Sequence, residues 1–552
     1  LSDTARIERL PAMPGGEASR LYEDYVRGDA ALDPFFGRRV RSAPDFAPPP
    51  REGSLLDAAG RRALVEALLA SPGRIEGVSA QADATLALGE ESTLAVVTGQ
   101  QPGLFLGPLL TLYKAITTVA LAQQLEARYR RRVVPVFWLV AEDDDFSEIS
   151  ETRLVDATGA AHAITIEGDG DAKRTYASLR AGASLESAGA RIAELLSADG
   201  GDASGRAEAI ARGVLAAARE PSPVRAFARL LGALLADLGL VILDPSDARI
   251  KALAAPFVRR ELGEPLASSR GARAAGARLE ALGYHAQIRI DEDRPALFEV
   301  QDGRRTRIAV REAPDGSCAA GPATLERIAP GVLIRPAYQD YLLPTVAYVG
   351  GPAEVAYLAQ LGETYERHGV PRPIVVPRLA AILAEPDVAR FLDRESPNLA
   401  LLREAPALLA GDAAVPPPGE IAALESPGAA LDEALARLGE ALAAQAPPSA
   451  AMVESSRIKI RREIERVAQS ASKQLDRERE AQRRRVARVR ERLFPDGRLQ
   501  ERVLSPLPFF ARWPGLVDAL VNAYDPVDAR PLLVRLPGRS PNPQGPGGEA
   551  LE

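Results

Sequence analysis

The chain has 552 residues, 46% of them hydrophobic, and a formal net charge of -7 from 68 basic and 75 acidic side chains. This length implies two or three domains, and the near balance of charge argues against nucleic-acid binding as the main activity. One cysteine, Cys318, excludes an intramolecular disulfide, and the scattered His162, His285 and His368 form no cluster for a structural zinc. Apolar runs too short to span a bilayer and a mixed-charge start predict a cytoplasmic protein without membrane contact.

Residues 1–90 read as a helical lead-in packed on the core, broken at Pro48-Pro49-Pro50. Residues 91–150 open an α/β core. The apolar run Leu94 to Val97 predicts a strand entering Thr98-Gly99-Gln100-Gln101-Pro102-Gly103. Leu109, Leu112, Ile116, Val119 and Ala120 then recur at helical spacing after Pro108. Val133 to Val140 is apolar almost throughout, as in a strand buried on both faces, and enters Glu142-Asp143-Asp144-Asp145. This strand–helix–strand crossover places polar loops outside the carboxyl ends of parallel strands, where open sheets bind ligands.

Residues 151–225 read as a mixed insertion, with short alternating runs from Arg153 to Ile166 about Thr158-Gly159 and helices continuing to Ala236. Leu240 to Leu243, within a core segment 226–270, predicts a buried strand ending at Asp244-Pro245-Ser246. Over 271–330, strands at Ala286 to Ile290, Ala296 to Val300 and Thr306 to Val310, with Asp302-Gly303 as a hairpin turn, predict a small β-rich insertion. Alternating helix and strand from Val332 to Val376 assign 331–380 to the core again.

From 381 to 495 alanine, leucine, glutamate and arginine dominate, with Pro416-Pro417-Pro418 and Pro447-Pro448 as breaks. Two long helices are predicted, the second from Ala450 to Leu493 and about 60 Å long. Val453, Ile460 and Val467 are seven apart and Ile464 joins their stripe, before Gln474 interrupts it. An antiparallel hairpin that pairs with a second copy is the favoured reading, and a charged helix lying along its own core is the alternative. Residues 496–552 are expected to return to the core.

Gly99, Gly103 and Gly107 would let backbone amides approach an anion or nucleotide phosphate, aided by the following helix terminus; turn glycines are the structural alternative. Gln100 and Gln101 offer donors and acceptors to a polar substrate, and Lys114 is the one lysine near these loops. Glu142, Asp143, Asp144 and Asp145 could hold an amine, sugar hydroxyls or magnesium with nucleotide phosphates, or could cap a helix. Arg335, Gln339 and Arg378 are candidates for a carboxylate or phosphate, with structural ion pairs as the competing reading for the arginines. Glu354 opens a helix, which capping alone would explain. A lone histidine such as His285 is more often structural than catalytic.

Together these segments resemble one family, the cysteine-adding BshC enzymes of bacillithiol synthesis. The likeness runs through Val97-Thr98-Gly99-Gln100-Gln101-Pro102-Gly103-Leu104 to Lys114, Val134-Pro135-Val136-Phe137-Trp138 to Phe146, and Gly283-Tyr284-His285-Ala286-Gln287. It continues in Arg335-Pro336, Gln339, Leu342-Leu343-Pro344, Gly351-Pro352-Ala353-Glu354, Val375-Val376-Pro377-Arg378, and Leu493-Phe494-Pro495-Asp496-Gly497 with Leu499-Gln500-Glu501-Arg502.

The resemblance implies a Rossmann-like core related to class I aminoacyl-tRNA synthetases and nucleotidyltransferases, with connecting insertions and a long antiparallel coiled coil that makes a homodimer. The implied reaction joins L-cysteine to the amino group of glucosaminyl malate. Amide formation from a free carboxylate is uphill in water, so an activated cysteine is expected, with ATP and magnesium as its source. On this reading Gly99 to Gly103 face nucleotide or carboxylate, Asp143 and Asp145 hold an amine or sugar hydroxyls, and His285 is the base. Family members often carry histidine where this chain has Asp144, and no Lys-Met-Ser-Lys-Ser sequence is present. Positive charge facing a phosphate must then come from Lys114, an arginine, a helix terminus or magnesium. The rivals are another ATP-using acyl or nucleotidyl transferase and a non-catalytic scaffold of thiol synthesis.

Overall fold

Every residue of Val133–Leu139 is buried, and its side chains enter two different cores. Val133, Phe137 and Leu139 pack in one, while Val134, Val136 and Trp138 face the other. That alternation, apolar on both sides, is what a strand inside a parallel sheet requires. The computed structural model describes residues 5–14, 18–42, 45–46, 54–156, 158–168, 173–198, 205–290, 294–312, 318–321, 323–406 and 418–538.

In chain order, β1 (Arg6–Arg9) precedes α1 (Arg20–Arg27), α2 (Ala58–Leu69) and α3 (Ser79–Ala87). The crossover comprises β2 (Leu94–Gln100), α4 (Leu109–Tyr129) and β3 (Val133–Leu139). The hairpin of β4 (Glu151–Val155) and β5 (Ala161–Thr165) leads to α5 (Gly182–Ala198), α6 (Arg206–Ala218) and α7 (Pro223–Leu235). Then come β6 (Val241–Leu243), α8 (Ala248–Leu253), α9 (Ala255–Gly263) and α10 (Ala267–Ala281). The insertion holds β7 (Leu297–Gln301), β8 (Arg304–Arg307), β9 (Val310–Glu312), β10 (Cys318–Ala320) and β11 (Ile328–Pro330). It is followed by α11 (Arg335–Leu342), β12 (Thr345–Gly350), α12 (Pro352–Leu358), α13 (Gly362–His368), β13 (Ile374–Pro377) and β14 (Ala381–Ala384). Beyond these lie α14 (Pro386–Glu395), α15 (Leu399–Glu404), α16 (Pro418–Ala443), α17 (Pro447–Leu493), α18 (Leu507–Arg512), α19 (Leu516–Ala523) and β15 (Leu532–Arg535).

The central sheet has the order β13-β12-β2-β3-β6, all parallel. The chain begins in the middle at β2, winds outward through β3 to β6, and crosses back to β12 and β13. This is the Rossmann order, and its topological switch point lies between β2 and β12. A second sheet pairs β15 antiparallel with β1 and parallel with β14. Residues 381–384, expected to be helical, are therefore a strand. They form a wholly buried apolar run whose partner lies far along the chain, and Gln500 brackets Leu383 by accepting from its amide (2.9 Å) and donating to its carbonyl (3.0 Å).

In the insertion, Asp302 (φ 50°) and Gly303 (φ 80°) make the tight turn between β7 and β8, and Gln301 pairs with Arg304 across it. The strand expected at Ala286 to Ile290 does not form. Instead of a ladder, the Gln360 amide accepts from Ile288 N (2.8 Å) and donates to Ile288 O (2.9 Å), satisfying the backbone at a bend without a neighbouring strand.

The chain divides into two compact units, one of Leu1–Pro386 with Gln500–Glu552 and one of Asp387–Leu499. In the latter, α16 and α17 form an antiparallel hairpin. Arg457 reaches Asp432 at 2.9 Å, and Gly428 lies against Ile464. The 47 residues of α17 span roughly 70 Å. Val467, expected in the seam, is 55% exposed, whereas Val453, Ile460, Ile464 and Ala468 are half-buried. The seam moves over by one residue because a straight helix of 3.6 residues per turn drifts away from a strict seven-residue repeat. Among the described residues, no helix is long and apolar enough to cross a membrane.

Candidate active site

A cavity of about 340 Å³ opens at the switch point between β2 and β12. The end of β2 contributes Gly99, Gln100 and then Gln101; the end of β12 contributes Tyr348 and then Gly351. Helix α4 supplies Lys114, α11 supplies Arg335 and Gln339, α12 supplies Glu354, and Arg378 follows β13. Residues dispersed along the sequence thus meet where the sheet splays its connections to opposite sides.

Three of the cavity's charged groups are held by protein partners. Lys114 Nζ donates to Gly99 O (2.7 Å), to Gln100 Oε1 (2.8 Å) and to Glu354, so each of its three hydrogens has an acceptor. Glu354 also accepts from Tyr348 OH (2.7 Å) and from Gly351 N (2.8 Å), the latter capping α12. Lys114 therefore ties α4, β2 and α12 together, and its charge is neutralised within the network. Arg378 is held by the Glu501 carboxylate in a bidentate pair and also donates to Leu379 O (2.8 Å). The competing structural reading of this arginine is the one observed.

Other groups keep capacity for a ligand. Arg335 lies 4.0 Å from Asp143, too long for a hydrogen bond, and lines the cavity mouth. Trp138 is among the lining residues, but its Nε1 is fully buried and its ring packs edge-on against Tyr338 in the apolar core. Gln339 is buried and donates only a long 3.3 Å bond to Asp340.

The acidic loop after β3 is divided among distinct tasks. Glu142 is buried and paired with Lys251 of α8; burial pushes its carboxyl up to about 7 while Lys251 pulls it back. Asp143 and Asp144 both accept from Arg305 of β8, at 2.5 and 3.1 Å. The repulsion expected between these acids is thus relieved by arginine and lysine from distant segments. Asp145 is exposed and accepts from Ser147 N (3.1 Å) and Ser147 Oγ (2.6 Å), capping the short helical turn that follows. None of Glu142, Asp143, Asp144 and Asp145 lines this cavity; Asp143 lines the one beside it.

Three further expectations are corrected by the geometry. Gly103 and Gly107 do not line the cavity; they permit close packing, since a Cβ on Gly103 would stand 1.9 Å from Gly107 O. Gly103→Ala is expected to destabilise the core unit by about 3 kcal/mol, read as a lower urea midpoint, because backbone cannot yield to the methyl group. The first amide of α4, Leu109 N, donates to Leu504 O at 2.8 Å instead of facing a ligand. His285 is exposed and lines neither this cavity nor the one beside it. Its neighbours Tyr284 and Ala286 are buried, so the alternation of an extended segment turns His285 to solvent. His285→Ala is expected to leave turnover within about twofold of the parent, as for other surface substitutions, in a steady-state assay.

With this geometry in view, residues 9–379 match the family model described as "Bacillithiol biosynthesis BshC, N-terminal Rossmann-like domain", and residues 420–536 match its "C-terminal coiled-coil domain". The chain belongs to the BshC family. Curated relatives bearing the provisional name cysteine ligase BshC include one from Salinibacter ruber, 34% identical over 79% of this chain and 82% of its own. Another from Koribacter versatilis is 30% identical over 93% of this chain and 97% of its own, and one from Symbiobacterium thermophilum is 32% identical over 94% and 97%.

In this BshC chain the structure adds residues that sequence reasoning passed over. Glu148, though exposed, lines the cavity; partial desolvation, with Asp143 and Asp145 nearby, raises its carboxyl above the ordinary value, against hydrogen bonds from Tyr176 OH (3.1 Å) and the Gln101 amide. Lys251, Arg305 and Glu501 each complete an ion pair with a residue remote in sequence. The local cue for Glu148 was its place just beyond the acidic loop; for the other three no local cue exists. Among the described residues, no group of three His, Cys, Asp or Glu side chains is placed to hold a metal.

Proposed function

We propose that this chain joins L-cysteine to the amino group of glucosaminyl malate, forming the amide of bacillithiol. Family membership supports the cysteine-adding reaction, and one observation carries the chemistry. The switch-point cavity is lined by Arg335, Gln339 and the raised carboxyl of Glu148. An arginine suits carboxylate oxygens. A carboxylate with raised proton affinity suits an amine that must lose a proton as it attacks a carbonyl. Glu148 takes the role expected of His285, and Lys114 keeps the loop after β2 in place.

The cysteine carboxyl must arrive activated, and ATP with magnesium is the simplest source. Arg335 is the cation assigned to a phosphate, because Lys114 and Arg378 have carboxylate partners; Arg502 also lines the cavity. We place the reaction in the cytoplasm and the α16–α17 hairpin at a homodimer interface. Leu438, Met452, Ile458 and Val467 support the latter as exposed apolar residues along the hairpin; light scattering at two protein concentrations tests it by mass.

The deciding experiment incubates the protein with glucosaminyl malate, cysteine, ATP and magnesium, with a parallel reaction lacking ATP, and reads product by mass spectrometry. A product of bacillithiol mass only with ATP is expected. Product without ATP overturns the activation step, and no product in either reaction overturns the assigned substrates.

A further inference from the structure

Beside the switch-point cavity lies a second one of about 750 Å³, and Gln101, Arg335 and Tyr357 line both. Its character comes from the β7–β8 hairpin. Phe298 pairs in register with Arg307, and Arg305 lies two residues earlier on the same strand, so all three side chains share one face. The guanidinium carbons of Arg305 and Arg307 lie 3.8 and 4.4 Å from the Phe298 ring centroid. Stacking of this kind orients a guanidinium without consuming its N–H donors.

Arg289, Arg294 and Arg335 extend the cationic wall, and among its described residues Asp143 is the one carboxylate. Although Arg307 is exposed, partial desolvation at the wall, together with Arg294 and Arg305, lowers its proton affinity. Arg305 Nε is buried with no hydrogen-bond partner. Arg307 Nη1 donates to Pro295 O at 2.5 Å, leaving most of that side chain's five donors to other acceptors. Arg305 is already paired with Asp143 and Asp144, so an anion at this wall would meet chiefly the charges of Arg289 and Arg307.

We propose that this second cavity is a binding subsite for a small polyanion that extends from the switch-point cavity. The inference deepens the proposed ligase reaction and takes its two sources from it: the carboxylates of the acceptor's malyl group, or the phosphates of a nucleotide. A ligand whose reactive end meets Gln101 and Arg335 reaches the arginine wall without leaving the protein surface.

The test is calorimetric titration of the full chain with L-malate and, separately, with inorganic tripolyphosphate, repeated on the double variant Arg289→Gln, Arg307→Gln. Both arginines are exposed, and circular dichroism checks that the variant keeps its fold. At least one anion is expected to bind, and the double variant is expected to weaken it at least about tenfold, the effect of losing a charged hydrogen bond. Weakening of malate alone assigns the subsite to the acceptor, of tripolyphosphate alone to the nucleotide, and of both to a shared anion site. Binding unchanged by the substitutions, or no binding of either anion, overturns the subsite. A parent protein that makes product while the variant keeps its KM values also overturns the subsite, yet leaves the ligase standing. Anion binding that the variant weakens, in a protein that makes no product, leaves the subsite standing and overturns the ligase.

Discussion

Glu501→Ala is expected to cost the core unit about 3–5 kcal/mol, the penalty for leaving one charge of a buried pair without its partner. The Arg378 and Glu501 side chains are only 4% and 3% exposed, so water cannot replace the lost carboxylate. Arg378 Nη1 would keep its bond to Leu379 O, but the other arm of the bidentate pair would face a cavity. Chemical denaturation reads the loss as a lower midpoint. The double variant Arg378→Met, Glu501→Met separates the cost of an orphaned charge from that of the pair itself: apolar side chains of similar volume should recover much of the stability. Single variants that unfold within 1 kcal/mol of the parent, about the value of an exposed pair, would contradict the burial argument. Because Arg378 also lines the switch-point cavity, the same variants should lose turnover.

Glu148→Gln is expected to lower kcat by roughly 10²–10⁴-fold, the usual contribution of a positioned general base. The sign of the pH dependence follows from its environment. Partial desolvation raises the Glu148 carboxyl, so as pH falls through that raised value the residue takes up a proton and ceases to act as a base. The parent should therefore show an acid limb in kcat/KM above the ordinary glutamate range, and the glutamine variant should lack it. Tyr176 OH shares its one proton between Asp145 O (2.9 Å) and the Glu148 carboxylate (3.1 Å), and favours the charged form of Glu148. Tyr176→Phe should accordingly move the acid limb to higher pH, an effect that a merely structural tyrosine would not produce. An acid limb that survives unchanged in Glu148→Gln would assign the proton transfer to another group.

Elements carried by local patterns were legible in the sequence. The runs in β2, β3 and β6 are apolar because both faces of those strands are covered, and Asp302-Gly303 has the backbone freedom its turn requires. β1 and β14 escaped because each is four residues long and acquires meaning only when β15 lies between them. The segment from Ala286 to Ile290 misled for the opposite reason: its alternation is real, but a glutamine side chain takes the place of a strand.

The site divides along the same line. Gly99, Gln100, Gln101, Lys114, Arg335, Gln339, Glu354 and Arg378 were all selected from their positions after predicted strands or in the helices that follow, and the structure brings them to one cavity. What each side chain touches was not legible. The saturation of Lys114 and the neutralisation of Arg378 depend on partners from separate segments, and His285 was favoured by its motif although its neighbours turn it outward. The aspartates were read as ligand-holding or capping groups, whereas Arg305, which pairs with two of them, stands on an insertion with no local link to β3.

The pairing of β1 with β15 has a consequence for synthesis on the ribosome. Arg9 is made 523 residues before its partner Leu532. At roughly 5–20 residues per second, β1 waits about half a minute to two minutes for its neighbour, and β14 shares the later part of that wait. During the interval the nascent chain carries two open strand edges, and any stall before β15 emerges leaves both able to pair with other chains.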